Sequence, residues 1–496
     1  MTAKGETMAQ QHLDRLTAVD ASFLHQESAD SHMHVGGLSV FEGPPPAMDA
    51  FLEAIRSRLH LVPRYRHKLA HTRIDSGRPV WVDDPTFNLE YHVRHTALPT
   101  PGGEAELLRL VARTFSQQLG RAKPLWELWL VEGLEENRFG LISKTHHALI
   151  DGISGVDLAT VMFDLTPVPP PVHHNGQPWL PRPVPGTVDL VAAGVKGAIR
   201  AGLEVATRSV SAATHPERAF STVREAAEGI GEIVWAGLNP APDTPLNVEI
   251  GPHRRFVGVA NRLEDFKLVK NAFGGTVNDV VLTVVAGALR EWLGTRGVRT
   301  EGLELRALVP VSIRTESQRN TLGNQIAAIR GLLPVYVEDP IQRLAVVKEA
   351  MDGLKESKMA VGAEALANVQ NFAPPTVLAQ ASRINFSTRL FNLIVTNVPG
   401  PQFPLYVLGR EMSDVFPIAF LPKDHALAIA IMSYHGNMNF GLLADYDAVA
   451  DVDEIAASIR SELSAMVDLA RAQDNGQPAA SSGNGAGRRR ATAGRR

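Results

Sequence analysis

The amino-acid sequence predicts a mixed α/β protein with two domains. Its 496 residues, 44% of them hydrophobic, can bury a larger core than one domain of ordinary size contains. A proline-rich segment divides the chain into two parts. Stretches with the period of a helix and stretches with the period of a strand occur in both parts, which favours a mixed class over an all-helical or all-strand one.

The dividing segment, residues 166–187, contains eight prolines, a density that helices and central strands do not tolerate. We therefore predict a linker there, between an N-terminal domain at residues 1–165 and a C-terminal domain at residues 188–473. Residues 474–496 are rich in Gly, Ala, Ser and Asn and include five arginines, which predicts a disordered basic tail. Such a tail either keeps the protein soluble or contacts an anionic membrane or another polyanion.

In the N-terminal part, apolar spacing predicts a strand at residues 139–144 and a helix at residues 154–163. The loop between them carries the most informative stretch of the chain, His-His-Ala-Leu-Ile-Asp-Gly at residues 146–152. After the linker, residues 188–238 have helical apolar spacing interrupted by lysine and arginine. Helices of this kind either pack on their own domain or lie on a lipid surface.

The C-terminal part predicts strands and helices in alternation. A buried helix is expected at residues 276–293, and an amphipathic helix at residues 452–472 ends the domain. Strands are expected at residues 305–313, 325–335, 391–398, 426–434 and 438–443. His435-Gly436-Asn437 separates the last two strands and is typical of a hairpin turn.

Composition excludes several classes of protein. The net charge of −4 gives no indication of nucleic-acid binding. The absence of cysteine excludes disulfides, thiolate nucleophiles, iron–sulfur clusters and cysteine-based zinc sites, and it fits a reducing cytoplasm. The first thirteen residues lack the apolar run of a secretory signal, and no eighteen consecutive residues are apolar. We expect a cytoplasmic protein that does not span a membrane.

Residues 146–152 combine the groups that proton transfer needs. A neutral imidazole accepts a proton near pH 7, and a nearby carboxylate can fix its orientation or support its backbone. Two histidines and an aspartate are also acceptable zinc or iron ligands, but no neighbouring pattern supplies the remaining ligands, so we expect no metal. A third interpretation is ordinary turn chemistry at Asp-Gly beside structural histidines.

The stretch resembles the His-His-x-x-x-Asp-Gly signature of CoA-dependent acyltransferases and peptide-synthetase condensation domains. Further matches resemble the bacterial wax ester synthase/diacylglycerol acyltransferase family. They are Met33 to Gly36, Phe41 to Gly43, Pro124-Leu125-Trp126, Asn278-Asp279, Leu322-Gly323-Asn324 and Asn397 to Pro401. This ordered set covers most of the chain and is far more specific than any one motif.

The resemblance implies two chloramphenicol-acetyltransferase-like domains, each a mixed sheet flanked by helices, with a tunnel between them. Long-chain acyl-CoA is then a substrate, no separate cofactor is needed, and the acceptor is diacylglycerol or a fatty alcohol. The product is triacylglycerol or a wax ester. Because these acceptors reside in lipid, the resemblance also implies peripheral association with the inner face of the membrane or with lipid droplets.

The resemblance also implies roles for the motif residues. His147 is the general base that deprotonates the acceptor hydroxyl, and the acyl group passes directly without an acyl-enzyme. His146 supports and shapes the site, Asp151 holds the loop, and Gly152 leaves space for substrate or for the turn.

Other matched residues have two interpretations each. Asn278 and Asp279 either cap a helix or help build the tunnel wall. Pro124, Leu125 and Trp126 either line the tunnel or belong to the core. The sequence identifies no donor for the oxyanion of the transition state.

Two other functions remain open at the level of sequence. One is a condensation-type enzyme that uses carrier proteins and an amine acceptor. The other is a noncatalytic lipid-binding protein that retains the acyltransferase fold.

Overall fold

The computed structural model describes residues 14–70, 79–149, 162–168, 179–183, 240–312, 326–356 and 387–476. Most of the predicted linker, the predicted helices at 188–238, all but the last two residues of the predicted helix at 154–163, and residues 477–496 of the predicted tail lie outside the described residues. We refer to residues 14–168 as the first half and to residues 240–476 as the second half.

The first half alternates short strands and helices. Its elements are β1 (Asp14–Arg15), α1 (Ala18–Gln26), β2 (His34–Glu42), α2 (Met48–Arg58), β3 (His67–Ala70), β4 (Val80–Asp83), α3 (Leu89–His92), β5 (Val93–Ala97), α4 (Glu104–Phe115), β6 (Trp126–Leu134) and β7 (Arg138–His146). The strand expected at residues 139–144 is confirmed as the centre of β7, which runs directly into a short 3₁₀ turn at His147–Leu149.

The second half contains every strand and helix that its sequence pattern predicted. Its elements are β8 (Arg254–Arg262), α5 (Leu263–Phe273), α6 (Val277–Thr295), β9 (Leu305–Ser312), β10 (Ile326–Leu333), α7 (Pro340–Glu356), β11 (Leu393–Pro399), β12 (Tyr406–Val407), β13 (Arg410–Ile418), β14 (Leu427–Tyr434), β15 (Asn437–Asp445) and α8 (Val452–Gly476). The expected hairpin is confirmed, because His435 and Gly436 both have positive φ and connect β14 to β15 as a two-residue turn.

Two six-stranded sheets form the framework. The first sheet has the order β12-β13-β2-β7-β6-β5, and the second has the order β10-β9-β11-β14-β15-β8. Strands β12 and β13 come from the second half of the sequence but complete the first sheet, where β13 pairs antiparallel with β2. The predicted C-terminal domain at 188–473 therefore contributes two strands to the sheet of the other half, and this exchange fixes the two sheets to each other.

Two glycines allow close backbone contacts, one within the first sheet and one between the two sheets. A Cβ atom on Gly36 of β2 would lie 1.8 Å from the carbonyl oxygen of Ser143 on β7. A Cβ atom on Gly441 of β15 would lie 1.9 Å from the carbonyl oxygen of Pro417 on β13. A side chain at either position would force the backbone to shift, so the packing favours glycine at both.

Helix α6 forms the centre of the second half. Its apolar residues are buried around almost the whole circumference, including Val280, Val284 and Leu289 at 0% exposure. No single helix among the described residues is long and apolar enough to cross a membrane. Helices α5 and α6 pass that test of length and composition only as a pair, and they meet at an angle of 100°.

Candidate active site

The two adjacent histidines lie where β7 ends, and their backbone is fixed by two other sequence motifs. His146 pairs with His34 across the antiparallel β2–β7 ladder. The N–H of His146 donates to the carbonyl of Leu125 at 3.0 Å, and the N–H of His147 donates to the carbonyl of Met33 at 2.9 Å. The motif that begins at Met33 and the Pro-Leu-Trp motif therefore both hold the histidine pair in place.

His147 is the more accessible of the two. Its ring stacks on Phe23, with centroids 3.9 Å apart and planes inclined by 23°, and Phe420 meets it edge-on at 5.5 Å. Burial between these rings lowers the pKa of His147 to about 4, and its own backbone carbonyl opposes part of that shift. At neutral pH the imidazole is therefore uncharged, the form in which it accepts a proton.

His146 is fully buried, and one of its ring nitrogens is hydrogen-bonded to the backbone. Its Nδ1 accepts a hydrogen bond from the N–H of Ala148 at 3.0 Å, so the proton of the neutral ring is on Nε2. Burial, with smaller contributions from His147 and Arg121, lowers the pKa of His146 to about 3. Since Nδ1 is used to close the turn, His146 is not available as a base, which supports its expected role in shaping the site.

A buried carboxylate that the sequence did not reveal lies behind the pair. Glu27, just after α1, places Oε2 3.7 Å from Nε2 of His146 and Oε1 3.9 Å from Nε2 of His34. Arg121 donates from Nε to Oε2 of Glu27 at 2.6 Å and from Nη2 to the carbonyl of Leu24 at 2.8 Å. No local pattern marks Glu27, because Arg121 is 94 residues away in the sequence.

The Pro-Leu-Trp motif lies in the core at the start of β6. Pro124, Leu125 and Trp126 are all buried. The ring of Trp126 stacks on His92 at 4.7 Å, and its Nε1 donates to the carbonyl of Tyr65 at 2.8 Å. These contacts give the motif a packing role beside the histidine pair.

Asn278 and Asp279 begin helix α6. Asp279 and the N-cap residue Thr276 form a reciprocal capping box, with bonds of 2.7 and 3.2 Å. Oδ1 of Asn278 accepts a hydrogen bond from Nδ2 of Asn397 at 3.2 Å, so the structure brings two of the sequence motifs together. Among the described residues, no hydrogen bond or ion pair connects these residues to the histidine pair.

The cleft between the halves is lined by polar and apolar side chains from both. The first half contributes His32, His34 and Phe115, and the second half contributes Arg254, Phe420 and Leu443. Phe420 also contacts the ring of His147, so the candidate base lies at this boundary.

Arg254 joins the halves across the cleft. Its N–H donates to Oγ of Ser116 at 2.9 Å, and its guanidinium donates to the carbonyls of Asp30 and Gly251. Burial lowers the pKa of Arg254 to about 10, against the opposing effect of Asp445 and Asp30, so the side chain stays charged at neutral pH.

Asp151 and Gly152 lie outside the described residues, so their expected roles stay predictions. Within the described ranges, no group of three or more histidine, aspartate or glutamate residues is arranged to hold a metal ion.

The fold built on two six-stranded sheets has counterparts among solved structures. The first condensation domain of the calcium-dependent antibiotic synthetase matches with a TM-score of 0.54 over 93% of this chain and 97% of that chain, at 18% identity. At that identity the match shows the shared fold alone. The predicted fold, mixed sheets flanked by helices in a chloramphenicol-acetyltransferase-like arrangement, is thereby confirmed.

Closer matches identify the family. The family model described as wax ester synthase/diacylglycerol acyltransferase catalytic domain matches residues 16–281, and the C-terminal domain of that family matches residues 322–467. The chain belongs to the wax ester synthase/diacylglycerol acyltransferase family, as its motifs predicted.

Relatives extend over nearly the whole chain. The probable diacylglycerol O-acyltransferase tgs1 of Mycobacterium tuberculosis strain H37Rv is 33% identical over 463 residues, which cover 92% of this chain and 97% of that protein. The probable diacylglycerol O-acyltransferase tgs2 of the same organism is 33% identical over 457 residues, covering 91% and 98%. The structure of the wax ester synthase/diacylglycerol acyltransferase from Marinobacter aquaeolei VT8 matches with a TM-score of 0.64 at 28% identity, over 92% of this chain and 100% of that chain.

Proposed function

We propose that this protein transfers a long-chain acyl group from acyl-CoA to a lipid alcohol, chiefly diacylglycerol, and so forms triacylglycerol; fatty alcohols are a second class of acceptor. The observation that carries the proposal is the state of His147. It is an uncharged imidazole between two aromatic rings at the boundary of the two halves, in a chain of the acyltransferase family.

In the proposed reaction, the acceptor hydroxyl attacks the thioester carbonyl while Nε2 of His147 takes its proton. The carbon–oxygen bond of the new ester forms, the carbon–sulfur bond breaks, and the proton passes from the imidazolium to the departing CoA thiolate. A hydroxyl is a weak nucleophile until its proton is removed in the transition state, so a positioned base contributes about 10²–10⁴-fold.

The low pKa of His147 fits transient proton storage. Burial disfavours the imidazolium, so the proton is held only while negative charge develops on the attacked carbonyl and on the sulfur. Return of the proton to the thiolate then restores the neutral ring. No covalent acyl-enzyme is part of this scheme, and the chain has no cysteine to carry a thioester.

The test combines activity and membrane binding in one assay. Purified protein is incubated with radiolabelled palmitoyl-CoA and vesicles that contain diacylglycerol or hexadecanol. Labelled neutral lipid, released CoA and the fraction of protein that sediments with the vesicles are measured. We expect transfer to both acceptors, more of it to diacylglycerol. Because both acceptors reside in lipid, we also propose peripheral association with membranes or lipid droplets and expect the protein to sediment with the vesicles.

His147→Ala should lower the rate of acyl transfer by about 10²–10⁴-fold and leave vesicle binding unchanged. His95→Ala is the matched control, because His95 is a surface histidine of β5 that pairs with Glu132. A folded His147→Ala variant with the turnover of the unmodified protein would show that the base is assigned to the wrong residue.

A further inference from the structure

Glu27 is a buried carboxylate with only one of its two oxygens hydrogen-bonded among the described residues. Its side chain is 1% exposed, and Oε1 has no hydrogen-bond partner among the described residues. Arg121 compensates the charge through Oε2 alone. Burying a carboxylate with an unsatisfied oxygen costs free energy, so its retention at this place indicates a role beyond packing.

Two imidazole rings face this carboxylate. Nε2 of His146 lies 3.7 Å from Oε2, and this nitrogen also has no hydrogen-bond partner in the part of the chain that the structure describes. The ring of His34 stands edge-on to that of His146, with centroids 5.9 Å apart, and its Nε2 accepts from the N–H of Leu119 at 3.4 Å. Of the two rings, His146 is thus the one that presents an N–H to Glu27.

The position of the proton on His146 decides whether the turn after β7 can form. With the proton on Nε2, Nδ1 is free to accept the N–H of Ala148, as observed at 3.0 Å. With the proton on Nδ1, two N–H groups would face each other and this bond would be lost. The carboxylate only accepts hydrogen bonds, so it favours the tautomer that carries hydrogen on Nε2.

We propose that Glu27 is a positioning residue that holds His146 in its Nε2–H tautomer and thereby fixes the turn at His147–Leu149 that carries the base. Arg121 supports this arrangement, because it compensates the buried charge of Glu27. It precedes the Pro-Leu-Trp motif by three residues. This inference rests on the proposed function only for its kinetic consequence. The tautomer of His146 is a property of the protein without substrate.

The experiment compares Glu27→Gln with Glu27→Ala. The protein is labelled with ¹⁵N-histidine, and long-range ¹H–¹⁵N spectra report which ring nitrogen of His146 carries hydrogen; the signal is assigned by its loss in His146→Asn. Thermal unfolding checks the fold of each variant, and kcat and KM are measured for palmitoyl-CoA and for the acceptor.

Glu27→Gln keeps a partly negative oxygen facing Nε2–H, so His146 should keep its tautomer and kcat should stay within about tenfold of the unmodified protein. Glu27→Ala removes the oxygens that face Nε2. We expect a mixture of tautomers and a kcat lower by on the order of 10²-fold, with KM for both substrates changed by less than about threefold, because the Glu27 side chain is buried behind His146. Glu132→Ala removes the surface Glu132–His95 pair and should change none of these quantities.

A folded Glu27→Ala variant whose His146 keeps the Nε2–H tautomer would overturn the inference. So would a Glu27→Gln variant that loses as much kcat as Glu27→Ala, because the full charge, and not an oxygen facing Nε2–H, would then be the requirement. If the unmodified protein transfers no acyl group, the proposed function fails, and the spectra still decide the role of Glu27 separately.

Discussion

The two sheets have the same number of strands but bury different kinds of side chain. Around the first sheet, buried ionisable residues are frequent, including Glu27, His34, His92, Lys144 and His146. The centre of the second sheet and the helix behind it are almost wholly apolar, as the sequences of β14 and α6 show.

The difference in buried ionisable residues suggests that the two halves have different roles in the reaction. Buried polar groups cost stability unless they are paired, so they are retained where chemistry needs them. The second half, whose sheet is apolar at its centre, supplies two strands that close the first sheet. We therefore infer that the first half carries the reactive groups and the second half positions them.

The largest effect that distinguishes the halves should appear in acid. Burial lowers the pKa of His92 and His147 to about 4 and that of His146 to about 3, against an ordinary value of 6.5. Between pH 6.5 and about 4, these histidines are protonated in the unfolded chain but stay neutral in the folded protein. Their contribution to the free energy of unfolding is therefore fully present above pH 6.5 and is lost as the pH falls towards 4. For fully buried His92 the loss amounts to roughly 3 kcal/mol.

Hydrogen exchange measured at pH 7, 6 and 5, with correction for intrinsic rates, tests this expectation. Peptides that cover β2 and β7 should lose protection at a higher pH than peptides that cover β14 and β15. Among the histidines in the described part of the second half, only His425 has a pKa that burial lowers. Equal loss of protection in both sheets at one pH would contradict separate roles for the halves and show that β12 and β13 couple them into one unit.

A smaller effect is expected from the two close-packed glycines. Gly36→Ala and Gly441→Ala each place a methyl group against a backbone carbonyl, so each should destabilise the fold by about 1–3 kcal/mol. Only Gly36→Ala separates β2 from the strand that carries His146. It should therefore lower kcat on the order of 10²-fold at a temperature where the protein stays folded.

Gly441→Ala is the matched control, because its methyl group, on β15 of the second sheet, would face the carbonyl of Pro417 on β13 at nearly the same distance. Its kcat should stay within about tenfold of the unmodified protein once stability is matched. If both variants lose kcat equally, geometry in the second half matters as much for the reaction as geometry beside the histidines.

The elements of the second half could be predicted from sequence because their signals are local. The apolar run after Thr276 predicts the buried helix α6, and His435-Gly436 predicts the hairpin turn between β14 and β15. Proton transfer at the 146–152 stretch could be predicted for the same reason, since its reactive groups are adjacent in the chain.

The surroundings of the histidine pair could not be predicted in that way. The site is completed by groups from distant parts of the chain, namely Glu27, Arg121 and strand β13. Hydrophobic periodicity predicts helices and strands but not which distant segments will contact each other. Motif resemblance marked Met33 and Leu125, but only the structure shows that their carbonyls bind the backbone of the pair.

The smallest effect tests the second half directly. Asn397→Ala removes one side-chain hydrogen bond to Asn278, 3.2 Å long, at the start of α6. Loss of such a bond costs about 1 kcal/mol, which thermal unfolding can measure, and kcat should change by less than about threefold. The capping box of Thr276 and Asp279 remains in this variant and keeps the helix start in place. A loss of kcat on the order of 10²-fold with unchanged stability would instead place the Asn278–Asn397 pair in contact with the reacting groups, and the second half would then be part of the chemistry.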